Sequence, residues 1–253
     1  MSFKKLAFAC ALLCLRMSVS AAGEPTQTLK RISDSGVINL GYRQDQTPMS
    51  FDKGAGNPAG YSVQLCALIA DAVKQKLERD DITVNFVPVT AETRFKAIQS
   101  GKIDMLCGAT TKTLSRMEIV GFTQPTFVTG GGLLSRKGAG IEKIQDLQGK
   151  RVAVVSNTTT IDSLNDAIKE LGIDAQVVAV ESTKKGMDML EKKEVDAFAA
   201  DQVVLIGQVI SRGARESYSL AGELFSFEPF ALALARGDEI GRASCRERVS
   251  SVV

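Results

Sequence analysis

The stretch Ile103-Asp104-Met105-Leu106-Cys107, followed by the polar run GATTKTLSR from Gly108, has a counterpart in Val195-Asp196-Ala197-Phe198-Ala199, followed by Ala200-Asp201-Gln202. In each case a helical pattern ends in a short Gly/Lys/Glu turn, a β-branched residue and an aspartate follow, and a small apolar strand delivers a polar loop. The recurrence predicts two similar α/β lobes. Asp104 and Asp196 read as turn-capping residues.

Working outward, apolar strands alternate with helical patterns, which is the signature of α/β layers. In the first half, strands are expected over 37–42, 83–89 and 103–107. A helix is expected over 61–77, and a second, N-capped by Thr90, runs to residue 100, where Gly101 stops it. In the second half, strands are expected over 150–155, 176–180 and 195–199. Helices are expected from the Ser156–Thr160 turn to residue 171, from Thr183 to about residue 193, and over 203–210. Between the halves, TQPTFVTGGGLL over 123–134 carries three consecutive glycines and reads as an extended crossover, not a rigid core strand. A second crossover is expected over 224–229, after which 230–235 returns to the first lobe. Two crossovers make a cleft whose lobes can rock shut on a ligand.

Both ends differ from this grammar. Lys4 and Lys5 precede the apolar run Leu6 to Leu15, and small residues Ser18 to Gly23 follow, which is the layout of a cleaved secretory leader over 1–22. Its ten apolar residues are too few to span a bilayer. At the other end, IGRASCRERV resembles the translation of a sequencing-library adapter, so 240–253 is expected to be a non-native read-through tail. The 253 residues hold 31 basic and 29 acidic side chains, but the leader carries three of the basic ones and the tail three more, with one acid. The remaining 25 basic and 28 acidic residues give a net of −3, so no nucleic-acid footprint is left.

Histidine is absent, which removes Ser-His-Asp and Cys-His catalysis and His-ligated metals. No cofactor and no metal site is expected. Cys66 falls in a helical pattern and Cys107 ends a strand. Export would permit a bridge between them, and two buried thiols fit equally well.

The marks GVINLGYRQDQTPMSF, ATTKTLSR, VSNTTT and VDAFAAD, in this order and spacing, resemble the bacterial periplasmic solute-binding proteins for amino acids (solute-binding protein family 3), above all the glutamate/aspartate-binding branch. The resemblance covers about Leu29 to Asp238. It implies the two-lobed periplasmic binding protein type II fold, with lobe 1 over 29–126 and 228–239 and lobe 2 over 133–224. The C-terminal helices that usually complete lobe 1 are expected to be missing. It also implies a monomeric receptor in the periplasm that hands an amino acid to an inner-membrane ABC permease.

A free amino acid needs a cation and hydroxyl or N–H donors for its α-carboxylate, and an acid for its ammonium. Arg116 resembles the family's α-carboxylate clamp, with Thr111 beside it, while Thr113 reads as the N-cap of the helix carrying Arg116. Thr158 and Thr159, at the start of a helix, can offer hydroxyls and free N–H groups to the same carboxylate. Asn157 stands where the family often has glycine and keeps a positive φ accessible. Asp201 resembles the ammonium acceptor, its alternative being the N-cap of the next helix. Ala109 would add its backbone carbonyl. Arg43 and Arg94 sit where the family reads the ligand side chain, and two cations facing a closing cleft call for a second carboxylate. The expected ligand is therefore L-glutamate or L-aspartate.

The chain departs from the acidic branch at Ala91 and Ala109, where serines are common, and at Thr183, where a histidine is. Thr183 offers a hydroxyl instead. Two other classes make different demands on the residues. A cyclohexadienyl-dehydratase-like enzyme on the same scaffold would need a general acid, for which only Glu92 or Asp45 could serve, and neither has a catalytic context. A sensing module of a larger periplasmic protein fits the lobes equally, but a leader placed directly before the first lobe favours a free binding protein.

Overall fold

The computed structural model describes residues 27–238 and Ile240. The leader and residues 241–253 lie outside them. Two five-stranded sheets form the lobes. In the first, the order is Thr83–Pro88, Val37–Tyr42, Met105–Cys107, Ala233–Leu234, Gly121–Phe122. The first three are parallel, and the last two join antiparallel to their neighbours. In the second, the order is Gln176–Val180, Arg151–Val155, Ala197–Asp201, Gly131–Arg136, Tyr218–Leu220, again three parallel strands followed by antiparallel ones. The repeat in the sequence is thus a repeat of topology. In each lobe the parallel strands are connected by crossover helices, Tyr61–Leu77 and Arg94–Gln99 in the first, Thr159–Glu170 and Thr183–Glu191 in the second.

The two aspartates of the repeated pattern perform the same local task. Asp104 accepts the Asn39 N–H at Oδ2, 2.7 Å away, while its own N–H donates to the Asn39 carbonyl at 2.8 Å. Asp196 accepts the Arg151 N–H at 2.9 Å and returns the bond to the Arg151 carbonyl at 2.8 Å. Each ties the start of one parallel strand to its neighbour, at the end of the sheet away from the site.

The expected elements are found with small shifts and two corrections. Thr90 opens the turn that leads into the helix, and the regular helix starts later than expected. The Thr90 hydroxyl accepts the Thr93 N–H at 3.1 Å and the Thr93 hydroxyl accepts the Thr90 N–H at 3.0 Å. This reciprocal pair closes a turn, and the helix begins only at Arg94. The glycine run is also more ordered than expected. Phe127–Thr129 pairs antiparallel with Glu228–Phe230 to form the hinge, but Gly131–Arg136 is a buried strand of the second sheet. Glycine is needed there for close approach. A Cβ on Gly130 would collide with the Ser226 carbonyl, and one on Gly131 would stand 2.6 Å from the Phe225 ring.

Leu29, Ile32, Leu40, Val63, Ala70 and Leu232 belong to the core of the first lobe, as does Ile240. Val155, Leu190 and Phe198 pack one face of the second sheet, and Val152, Val154 and Leu164 the other. A further cluster joins the lobes at the hinge, where Met49 and Ala109 meet Val204 and Phe230. Cys66 and Cys107, left open by the sequence, are bonded, with Cα atoms 6.0 Å apart. The helix Tyr61–Leu77 crosses the strand that Cys107 ends, so both sulfurs meet in the core. No helix among the described residues is long and apolar enough to cross a membrane.

Candidate functional site

Parallel strands deliver their C-terminal ends to one edge, and ligands of open α/β sheets are held there. The site residues follow those ends. Arg43 follows the strand ending at Tyr42, Arg94 comes shortly after Pro88, and Ala109 and Thr111 follow Cys107. From the second lobe, Thr158 and Thr159 follow Val155, Thr183 follows Val180, and Asp201 ends its own strand.

The two edges face each other and touch. Arg94 Nη2 donates to the Asn157 carbonyl across the cleft at 2.9 Å. Asn157 has the positive φ the sequence allows, 58°. The hydroxyls of Thr111 and Thr159 are 3.2 Å apart, and the Thr183 N–H donates to Asp45 Oδ2 at 2.7 Å. A small cavity of about 20 Å³ remains, lined in part by Arg43, Gln46, Thr158, Thr183 and Asp201. That is room for about one water.

Three arginines come from the first lobe. Arg43 is 3% exposed, and Nη2 meets Asp45 Oδ1 at 3.2 Å while Nη1 is buried without a partner. Arg94 is 2% exposed, forms no ion pair among the described residues, and leaves Nε without a partner. Burial, then the like charges of Arg116 and Arg43, push its guanidinium well below the ordinary arginine range. Arg116 is held by Thr113, whose hydroxyl accepts the Arg116 N–H as the expected N-cap, and its Nη1 donates to the Thr111 carbonyl at 2.9 Å. Burial lowers its pKa, opposed by the charges of Glu228 and Asp201. The Phe95 ring lies between the two cations, 4.8 Å from the Arg94 guanidinium carbon and 5.3 Å from that of Arg116. Its faces offer both charges a partial partner.

The second lobe brings an acid and helix starts. Asp201 occupies the N-cap position of the helix Gln202–Ser211 but makes no side-chain capping bond, and its Oδ1 is buried without a partner. The alternative role as a cap is therefore not the one it plays. Burial, reinforced by the nearby Glu228 charge and opposed by Arg116 and Arg94, raises its pKa to about 7. The Thr158 hydroxyl donates to the Val155 carbonyl at 2.7 Å, so its proton is committed to its own turn. The Ala109 N–H is taken by Gln46 Oε1 at 3.2 Å. Glu92 is exposed, and the Asp45 carboxylate is engaged by Arg43 and Thr183, so neither acid is placed for proton transfer.

Sequence reasoning missed Glu228. This hinge residue is 1% exposed, and its Oε2 accepts the hydroxyls of Thr111 at 2.5 Å and Thr159 at 2.7 Å, while Oε1 accepts Ser226 at 2.7 Å. One carboxylate thus holds both lobes at the hinge. Its partners Thr111 and Thr159 lie 117 and 69 residues away in sequence, and a lone acid in a crossover segment gave no signal.

Residues 38–171 match the bacterial extracellular solute-binding proteins, family 3. The glutamate/aspartate import solute-binding protein of Salmonella typhimurium is 30% identical over 242 residues, covering 94% of this chain and 80% of that one. The L-glutamate/L-aspartate-binding protein of Pseudomonas aeruginosa is 33% identical over 220 residues, covering 86% of this chain and 72% of its own. Among solved structures, a periplasmic binding protein from Brucella ovis with glutathione bound superposes with a TM-score of 0.78 at 25% identity, over 86% of this chain and 68% of that one. A two-lobed α/β scaffold with a polar cleft at the strand ends defines a solute receptor, and the named relatives are transport proteins, not enzymes. The chain belongs to the bacterial extracellular solute-binding proteins, family 3.

Proposed function

We propose that the chain is the periplasmic receptor of an amino-acid ABC importer, that it binds L-glutamate or L-aspartate between its lobes, and that it presents the closed form to an inner-membrane permease. The observation that carries the choice of ligand is Arg94: a guanidinium 2% exposed, with no ion pair among the described residues, and with the like charges of Arg116 and Arg43 outweighing the attraction of Asp201. Leaving one partner of a buried pair without the other costs about 3–5 kcal/mol. A ligand side-chain carboxylate would remove that cost, and Arg43 and Thr183 would bind the same group. Arg116, with Thr111, Thr158 and Thr159, would take the α-carboxylate. Asp201 and the Ala109 carbonyl would take the ammonium.

A ligand enters only when the lobes part, because the closed cavity holds about one water. Both lobes supply contacts only in the closed form, so binding favours closure. The receptor works as a monomer, exported by the leader over 1–22, in this reading. Calorimetric titration with the twenty amino acids tests it. Micromolar or tighter binding of an acidic amino acid, about −8 kcal/mol or better, is expected; a preference for glutamine, arginine or histidine over glutamate overturns it.

A further inference from the structure

Asp45 stands where the distal carboxylate of an acidic ligand is expected. Its Oδ1 meets Arg43 Nη2 at 3.2 Å and its Oδ2 accepts the Thr183 N–H at 2.7 Å. These are two of the three groups assigned above to the ligand side chain. The Thr183 N–H is the first of the helix Thr183–Glu191, where the preceding Ser182 hydroxyl is turned to Lys185, so Asp45 supplies an acceptor this amide lacks within the helix. The backbone of Asp45 joins the lobes as well, its carbonyl accepting Gln208 Nε2 at 3.0 Å. The neighbouring Thr47-Pro48 backbone lies so close to the helix Gln202–Ser211 that a Cβ on Gly207 would collide with the Thr47 carbonyl. Asp45 is thus in contact with both helices of the second lobe that border this end of the cleft.

The remaining cavity, about 20 Å³, cannot hold an amino acid beside this arrangement. Arg43 keeps Nη1 buried and unpartnered even so, which leaves the site short of an acceptor when Asp45 alone fills it.

We propose that Asp45 is a built-in competitor: it occupies the distal-carboxylate position, draws the lobes shut from within, and is displaced by the side-chain carboxylate of an acidic amino acid. Asp45 therefore lowers the affinity of any ligand that must part the lobes to enter. A ligand must replace what Asp45 already provides, so the net gain at Arg43 is reduced, and Arg94, which forms no ion pair among the described residues, carries most of the charge reading. This inference rests on the binding of acidic amino acids proposed above.

Two measurements on the full chain separate the two claims. The first is calorimetry of Asp45→Asn and Asp45→Ala with L-glutamate and L-glutamine. Removal of the competitor is expected to tighten L-glutamate binding about tenfold and L-glutamine binding by a similar factor, because either ligand must displace it. Unchanged or weaker L-glutamate binding in both variants, with circular dichroism showing an intact fold, overturns the proposal. The second is the radius of gyration from small-angle scattering, without added amino acid. Asp45→Ala is expected to be measurably more extended than the unaltered chain, and an identical radius overturns the internal closure. If neither the unaltered chain nor the variants bind L-glutamate, the ligand reading fails, the competitor role falls with it, and the scattering comparison still decides whether Asp45 closes the cleft.

Discussion

The two lobes share a strand order, a pair of crossover helices and an aspartate that ties two strands at their start, yet they bring different chemistry to the cleft. The first lobe contributes charge, with Arg43, Arg94 and Arg116 all buried or partly buried. The second contributes Asp201, the starts of the helices Thr159–Glu170 and Thr183–Glu191, and hydroxyls. A duplicated scaffold therefore does not yield a duplicated site. In the proposed binding mode the cations of one lobe and the acid of the other meet opposite charges of one ligand, and only closure brings them together.

The comparison breaks most visibly at Arg94. Arg94→Met is expected to weaken L-glutamate binding by about two to nearly four orders of magnitude, from the 3–5 kcal/mol of a broken buried pair, while thermal stability holds or rises because an uncompensated buried cation is gone. Calorimetry and a melting curve on the same sample check both signs. A loss of binding accompanied by a large loss of stability would show Arg94 to be structural.

The lobes also differ in how they are held. The Cys66–Cys107 bond closes a sequence separation of 41 within the first lobe, and bonds of this kind contribute about 2–4 kcal/mol. Reduction is expected to lower the protection of amides in the first lobe in hydrogen exchange and to leave the second lobe's sheet unchanged. Equal loss in both lobes would mean that they unfold as one unit.

The matched aspartates offer a finer comparison. Asp104 is 2% exposed at its side chain and pairs with Arg31, whereas Asp196 is 28% exposed and lies 3.6 Å from Arg151. Asp104→Asn is expected to cost about 3 kcal/mol and Asp196→Asn about 1 kcal/mol or less, measured by denaturant unfolding. The same local bond pattern would then have different weight according to its depth.

The smallest effect is the pH response of Asp201. Its pKa in the fold, about 7, lies above the ordinary 3.8, so the folded state binds the extra proton between those values. Its contribution to stability is full below about pH 4, declines as pH rises to 7, and is flat above. Pairing with a ligand ammonium demands the charged form, so affinity should fall about tenfold between pH 8 and pH 6. Asp201→Asn should remove that slope in titrations across the range.

Much of the fold was legible where periodicity is strong. The helix Tyr61–Leu77 and the strands Val37–Tyr42 and Gln176–Val180 fall where the apolar pattern puts them. The helix Gln27–Ser35 gave no comparable signal, with only Leu29 and Ile32 buried on it. The glycine run misled because glycine's freedom suggests looseness, whereas here its missing side chain admits Leu224, Phe225 and Ser226 against the backbone. At the site, Thr113, Asn157 and the convergence of the three arginines were readable from local motifs. The roles of Asp45 and Glu228 were not, because each is defined by partners more than one hundred residues away, 138 for Thr183 and 117 for Thr111.

Gly207 has a mechanical consequence. Its missing side chain lets the Thr47 carbonyl of the opposite lobe rest against the helix backbone, so it works as a doorstop set at zero thickness. Each carbon added there would hold the jaws further apart without touching a group that reads the ligand. At this one contact the depth of closure is set by a residue that does not itself read the ligand, unlike Asp45, where the two are joined.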